Sequence, residues 1–304
     1  MHRNRALIMK KETLRTIFQA VSLAFSNGYV NGFIKGKIYT GALKKICFPG
    51  LNCYSCPGAV NACPIGSLQA VLSDKNYIFS LYVFGFIGLI GTVFGRFVCG
   101  FVCPFGFIQD LLYKIPLFVK KNSLPGHKIL KYTKYIILAV FVLLLPIIGV
   151  LTFGSGKPWF CEYICPDGTL FGGIPLLLSD SGLREAIGWR FYLKLAVLIA
   201  TIVSAVKFYR PFCKYLCPLG ALYSLANPIS VYRYSFDKSK CTDCKTCVNI
   251  CKMDVDIRKT PNAAECIRCG KCIEACPTDA IISTAGKINN KYMLNSTSER
   301  TYDK

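Results

Sequence analysis

The chain has 304 residues, 53% of them hydrophobic, with a mean hydropathy of +0.40 and a formal charge of +21 from 37 basic and 16 acidic side chains. It holds 18 cysteines but only two histidines. This balance argues against a short, disulfide-stapled secreted scaffold and against a nucleic-acid partner, because no groove-reading motif accompanies the basic charge. A membrane protein whose cysteines are mostly metal ligands is the class that remains.

A helix crossing the hydrocarbon core needs about 20 mostly apolar residues, and four segments are predicted. The first, 14–34, begins after Arg3, Arg5, Lys10 and Lys11 and shows no small-residue cleavage signature. It contains Arg15, Gln19, Asn27 and Asn31. Asn27 and Asn31 are four apart and are expected to share one helix face that looks away from lipid. Cys47, Cys53, Cys56 and Cys63 follow, with Pro57 and Pro64 directly after two of them. The second segment, 77–95, has no charge, and Gly85, Gly88, Gly91 and Gly95 predict close helix packing. It runs into Cys99-Gly-Phe-Val-Cys103-Pro104-Phe-Gly106. Residues 106–121 then mix apolar side chains with lysines, as an interfacial helix does; a solvated loop is the alternative.

The third segment, 135–153, is rich in Leu, Ile and Val, with Pro146 as the expected kink. After it comes Cys161-Glu-Tyr-Ile-Cys165-Pro166-Asp-Gly168. The fourth, 191–206, is apolar except for Lys194, which is expected to snorkel. It leads to Cys213-Lys-Tyr-Leu-Cys217-Pro218-Leu-Gly220. The pattern C-x3-C-P-x-G thus occurs three times. Two cysteines four apart place both sulfurs on one side of a helical turn. Proline forces the turn and glycine permits unusual dihedrals, so each pair supplies half of a four-thiolate site.

Near the C-terminus Cys241, Cys244, Cys247 and Cys251 form C-x2-C-x2-C-x3-C, and Cys266, Cys269, Cys272 and Cys276 repeat it, ending in Cys276-Pro277-Thr278. This is the spacing of a double-cubane ferredoxin, in which the fourth cysteine of each repeat ligates the other cluster. One [4Fe–4S] cluster is therefore expected on Cys241, Cys244, Cys247 and Cys276, the other on Cys266, Cys269, Cys272 and Cys251. Lys252 stands where proline is usual after Cys251, and its charge is expected to raise the potential of the nearby cluster.

Short-loop Lys and Arg counts set orientation. The N-terminus, the 114–134 loop with six lysines and no acid, and Lys207, Arg210 and Lys214 favour the cytoplasm, whereas the 154–189 loop holds Lys157 and Arg184 against Glu162, Asp167, Asp180 and Glu185. Only Lys35, Lys37, Lys44 and Lys45 dissent. Both termini are thus expected inside a cytoplasmic membrane, with lipid as a partner. Cys99, Cys103, Cys213 and Cys217 then share the inner face and are expected to build one cluster. Cys47, Cys53, Cys56, Cys63, Cys161 and Cys165 share the outer face, where one cubane uses four of six. Cys161 and Cys165 with two of Cys53, Cys56 and Cys63 are favoured; a disulfide for the spare pair stays open.

The expected architecture is mainly α: a four-helix transmembrane bundle over 1–230, a small α+β ferredoxin-like module over 231–285 and a polar tail over 286–304. The paired C-x3-C-P motifs, Gly95-Arg96 before the first of them, the double-cubane module and Cys251-Lys-Met-Asp-Val-Asp256-Ile together resemble the NapH/NosR-type membrane ferredoxins over roughly residues 77–285. The resemblance implies at least four helices and electron transfer between quinol or cytoplasmic donors and extracytoplasmic acceptors. The Cys47–Cys63 group and a third C-x3-C-P depart from the simplest members and add a candidate redox centre on the far side. No C-x-x-C-H haem motif, flavin-attachment motif or dinucleotide glycine motif is visible. The expected function is electron transfer across the membrane from a ferredoxin-like cytoplasmic donor to an outer acceptor, a flavoprotein being one candidate. The alternatives are a quinol-oxidising subunit and a redox sensor or assembly factor.

Overall fold

The computed structural model describes residues 2–74, 81–185 and 187–284 and is mainly helical, with one two-stranded sheet among those residues. Helix α1 (His2–Ser26) stops at Asn27–Gly28, and a short α2 (Val30–Lys35) resumes in a new direction. The cysteine loop causes the break. The Tyr29 N–H donates to the Gly58 carbonyl (3.1 Å), and the Val60 N–H to the Ser26 carbonyl (3.0 Å), so the loop stands where the helix would continue. Gly32 is pressed so closely on it that a Cβ there would lie 2.1 Å from the Pro57 oxygen. The segment expected as one span over 14–34 is therefore two helices, and Asn27 and Asn31 share no helix face.

Next come α3 (Pro64–Leu72), α4 (Leu81–Phe94), α5 (Phe97–Phe101) and α6 (Pro104–Lys114). The start of the predicted 77–95 segment and the predicted 286–304 tail lie outside the described residues. Helix α7 (His127–Phe153) and, further on, α9 (Trp189–Lys207) are long and apolar enough to cross a membrane. Between them lies the shorter apolar α8 (Gly168–Ser179). Only 22% of the most apolar window of α7 and of α9 is buried. Leu144, Leu151, Phe153, Ile199 and Val203 are exposed, unlike the core helix of a water-soluble fold. Upstream of Pro146, residues Leu138–Leu144 widen into a π-helical stretch; a proline lacks the N–H and crowds the preceding turn, and the wider turn relieves both.

Helices α10 (Pro211–Tyr215) and α11 (Pro218–Ala226) lead into the C-terminal module, where β1 (Tyr234–Phe236) pairs antiparallel with β2 (Ile281–Ser283), Ser235 opposite Ile282. Helix α6 packs between α1 and α9, and α11 packs on α4. One buried core runs from Leu51, Cys63 and Cys165 through Cys99, Cys103, Cys217 and Tyr223 to Met253 and Ile267. A second, smaller one surrounds Tyr234, Cys247 and Ile281. Lys194 departs from expectation: its Nζ lies 3.7 Å from the point a Gly168 Cβ would occupy. It faces the Cys165-Pro-Asp-Gly168 turn rather than reaching for a lipid headgroup.

Candidate metal centres

The motif C-P-x-G explains its own turn. Cys103 and Cys217 are the N-cap residues of α6 and α11, each followed by proline at the first helical position, where no N–H is needed. The N–H of Gly106 donates to Cys103 Sγ (3.4 Å) and that of Gly220 to Cys217 Sγ (3.3 Å). Each sulfur thus sits at the positive end of a helix. The glycines suit a close approach: a Cβ on Gly106 would lie a tight 3.2 Å from the Cys99 carbonyl oxygen, and one on Gly220 would lie 3.3 Å from that of Cys213.

Cys99, Cys103, Cys213 and Cys217 converge in the core. Burial and the neighbouring thiols Cys213 and Cys99 push the Cys103 thiol well up, and Cys217 is raised for the same reasons. Four thiolates gathered in a dry core need compensating positive charge, which bound iron would supply as it displaces their protons. Arg96 and Arg210, both fully buried, frame the group. Arg210 donates Nε to Asp110 Oδ1 (2.7 Å), and Arg15 and Gln19 reach the same carboxylate at 2.6 and 3.2 Å. Although burial opposes it, Arg210 and Arg15 hold the Asp110 carboxyl down at about 2.

Of the six cysteines assigned to the outer face, the fold brings four together. Burial and the proximity of Cys63 and Cys53 raise the Cys161 thiol, and Cys165 is raised by burial, Asp167, Cys161 and Cys53. Burial and neighbouring negative groups push Cys53 up to about 12, and burial takes Cys63 to about 11. Cys53 Sγ lies against the backbone of the third motif, 3.5 Å from the Cβ point of Gly168 and 3.4 Å from that of Gly172. Cys47 and Cys56 are turned elsewhere. Cys47 Sγ contacts Ser67 Oγ (3.7 Å), and Cys56 donates to Asn27 Oδ1 (3.3 Å). All 18 cysteines are free thiols. Beside this group Asp167 is fully buried, and burial pushes its carboxyl up to about 8.

The two C-terminal four-cysteine repeats fold as two copies of one turn. Asp243 and Lys245 in the first copy, and Arg268 and Gly270 in the second, take positive φ at equivalent places between the cysteines. Asp254 and Asp279 do so three residues after Cys251 and Cys276. The repeated left-handed residues turn the chain sharply between the closely spaced cysteines. The thiols of Cys251, Cys266 and Cys272 are raised by burial and by the neighbouring Cys269. Cys276 approaches Cys247 instead. Lys252 extends over the rings of Tyr113 and Tyr209, at 5.0 and 5.4 Å.

The module docks on the inner group. Glu265, next to Cys266, accepts from Arg96 (2.8 Å) and Lys134 (2.6 Å); burial would raise its carboxyl, but these two cations hold it down. Arg268 donates to the carbonyls of Phe94 (2.9 Å) and Asn227 (2.6 Å). Gly100 abuts Ile267, whose oxygen would lie 2.6 Å from a Cβ there. Cys251, Cys266 and Cys269 therefore border the core that holds Cys99 and Cys103, whereas Cys247, Cys272 and Cys276 belong to the smaller second core. Tyr223, buried beside Cys99, Cys103, Cys63 and Cys47, donates to the Pro49 carbonyl (3.2 Å) and stands between the inner and outer groups. Sequence reasoning missed Tyr223, Asp110, Glu265 and the glutamines that reach the sulfurs. The repeated R-x-x-C-x3-C-P of residues 96–104 and 210–218 was the available signal for the arginines.

A 4Fe-4S binding domain model matches residues 76–125, 138–179 and 191–233, and a 4Fe-4S dicluster domain model matches 230–290. The Methanocaldococcus jannaschii protein named "Uncharacterized protein MJ0750" is 31% identical over 199 residues, covering 64% of this chain and 74% of that protein. The methylamine utilization ferredoxin-type protein MauN of Paracoccus denitrificans is 29% identical over 158 residues, 52% of this chain and 48% of its own. The putative electron transport protein YccM of Escherichia coli is 23% identical over 204 residues, 64% of this chain and 52% of its own. The chain thus spans about half the length of the last two. No solved structure matches.

Proposed function

This chain belongs to the family of the Methanocaldococcus jannaschii protein MJ0750, and from that premise we propose that it is a membrane-integral iron–sulfur protein of NapH/NosR type that carries electrons across the cytoplasmic membrane. The relatives named as ferredoxin-type and electron transport proteins support the electron-transfer role. In this reading the broken α1–α2 segment, α4, α7 and α9 cross the bilayer as a bundle, both termini are cytoplasmic, and lipid covers the exposed side chains of α7 and α9. A ferredoxin-like donor meets the C-terminal module, and an acceptor meets the far face.

The observation that carries the proposal is the succession of cysteine groups. Cys241, Cys244, Cys247 and Cys276 come first. Cys266, Cys269, Cys272 and Cys251 follow, then Cys99, Cys103, Cys213 and Cys217, and last the group around Cys161 and Cys165. Members of the last three groups, Cys251, Cys266, Cys269, Cys99, Cys103, Cys217, Cys161 and Cys165, lie in or against one apolar core. Bound [4Fe–4S] clusters supply the one-electron chemistry. The chain holds them in order, excludes water with Val98, Phe105, Phe212 and Leu219, and balances thiolate charge with Arg96 and Arg210. A protein confined to cytoplasmic electron exchange has no use for the Cys161 group.

Liposomes test this. The reconstituted wild type should oxidise a reduced donor on the module side at the expense of an impermeant acceptor on the other. The Cys161→Ala/Cys165→Ala variant should lose that transfer and keep the module clusters. Equal rates for variant and wild type would refute the conduit.

A further inference from the structure

Gln109 and Gln69 make the same contacts at two different places. Gln109 is fully buried on α6; its Nε2 donates to Cys213 Sγ (3.1 Å) and its Oε1 accepts from the Phe212 N–H (3.2 Å). Gln69 is fully buried on α3; its Nε2 donates to Cys161 Sγ (3.2 Å) and its Oε1 accepts from the Phe160 N–H (3.0 Å). Even the spare amide contacts match, with Nε2 against the carbonyl four residues earlier: Phe105 at 3.4 Å and Ile65 at 3.5 Å. Both glutamines close the same sequence, Cys-Pro-x-Gly-x-x-Gln, at 63–69 and 103–109. Both cysteines they reach open Phe-Cys-x3-Cys-Pro, at 160–166 and 212–218.

The correspondence names the members of the outer group. Cys63, N-cap of α3 with Pro64 behind it, takes the place of Cys103. Cys161 takes that of Cys213, and Cys165 that of Cys217. The one vacancy, equivalent to Cys99, falls to Cys53, whose sulfur already lies against Gly168 and Gly172. Residues 47–63 lie outside both matched domain models.

We propose that the chain contains one half-site architecture twice, so that Cys53, Cys63, Cys161 and Cys165 bind a [4Fe–4S] cluster of their own, Gln69 donates to its ligand Cys161 as Gln109 donates to Cys213, and Cys47 and Cys56 are not ligands. This deepens the proposed conduit by identifying its outer centre, and it rests on the reading of these cysteines as cluster ligands. A neutral amide donor suits a ligand sulfur: the reduced cluster carries one more negative charge than the oxidised one, and an N–H aimed at its sulfur stabilises that charge. Gln69 and Gln109 are positioning residues that raise the reduction potential of the centre each one faces.

The test uses the full chain, purified anaerobically in detergent, with iron and acid-labile sulfide counts and an EPR-monitored redox titration. Cys53→Ala and Cys161→Ala should each lose about one cluster's worth of iron and sulfide, while Cys47→Ala and Cys56→Ala keep the wild-type count. Gln69→Met, which keeps the side-chain length and removes the donor, should shift one EPR component to lower potential. Gln109→Met should shift a different one. Full iron in Cys53→Ala, a lost cluster in Cys56→Ala, or the same component moved by both glutamine variants would each overturn the assignment. No membrane or acceptor enters these measurements. An outer cluster without transfer across liposomes would refute the conduit alone, and transfer with full iron in Cys53→Ala would refute the ligand set alone.

Discussion

Arg96 and Arg210 exchange places across the inner cysteines. Arg96, three residues before Cys99, donates to the carbonyl of Cys213 (3.1 Å), and Arg210, three residues before Cys213, donates to the carbonyl of Cys99. Each C-x3-C-P loop is thus held by the arginine of the other, and neither loop is complete without its partner. The two arginines differ in what they face outward: Arg96 pairs with Glu265 of the module and Arg210 with Asp110 of α6.

Breaking one of these buried pairs should cost far more than replacing it. Arg210→Met leaves Asp110 in the core with only Arg15 and Gln19, and truncating one partner of a buried pair costs about 3–5 kcal/mol. Combining Arg210→Met with Asp110→Leu and Arg15→Met removes all three charges and should recover much of that loss. Denaturant unfolding in detergent measures both variants, and equal destabilisation by the single and the triple would contradict this account.

Glu265 should act as the latch of the C-terminal module. Glu265→Gln removes the charge that balances Arg96 and Lys134, whose side chains have no exposed surface, a loss of about 3–5 kcal/mol. Detachment is the expected outcome, because the docking surface carries the uncompensated cations. Limited proteolysis should then cut between residues 226 and 241 faster than in the wild type, with β1 and β2 still paired. Unchanged cleavage would remove Glu265 from this role.

Ligand exchange between the two four-cysteine repeats predicts paired phenotypes. Cys241→Ala and Cys276→Ala should damage the same cluster, and Cys251→Ala the one that Cys266→Ala damages. Single-variant EPR spectra decide it. Loss of one and the same signal in Cys276→Ala and Cys272→Ala would mean that each repeat closes on itself.

The stretch after α6 should lie in the lipid headgroup region. Ile115, Leu117, Phe118 and Val119 are exposed between Lys114 and Lys120–Lys121, an arrangement that places apolar side chains in the acyl boundary and ammonium groups above it. A spin label at position 118 should report shallow membrane depth and restricted motion in liposomes. Free aqueous mobility there would rule this out, and accessibility of a reporter fused at residue 304 from the outer side would overturn the orientation as well.

The candidate ligand groups with local spacing were legible before any fold was known. In C-x2-C-x2-C and C-x3-C-P-x-G the geometry is set within one or two turns, so Cys241–Cys276 and the pairs Cys99/Cys103, Cys161/Cys165 and Cys213/Cys217 announce themselves. The two longest apolar runs do the same, since hydropathy summed over a helix needs no partner. Which of Cys47, Cys53, Cys56 and Cys63 turn toward Cys161 was not legible. The contact that selects Cys63's helix, Gln69 to Cys161, closes over 92 residues, and four cysteines in one loop offer several pairs of similar spacing. The break of α1 was hidden for the same reason: residues 14–34 are apolar enough to continue, and only the packed loop at Pro57–Val60 takes the space and the backbone hydrogen bonds that a continuous helix would need. Local spacing determines which residues can be ligands; long-range packing decides which of them meet.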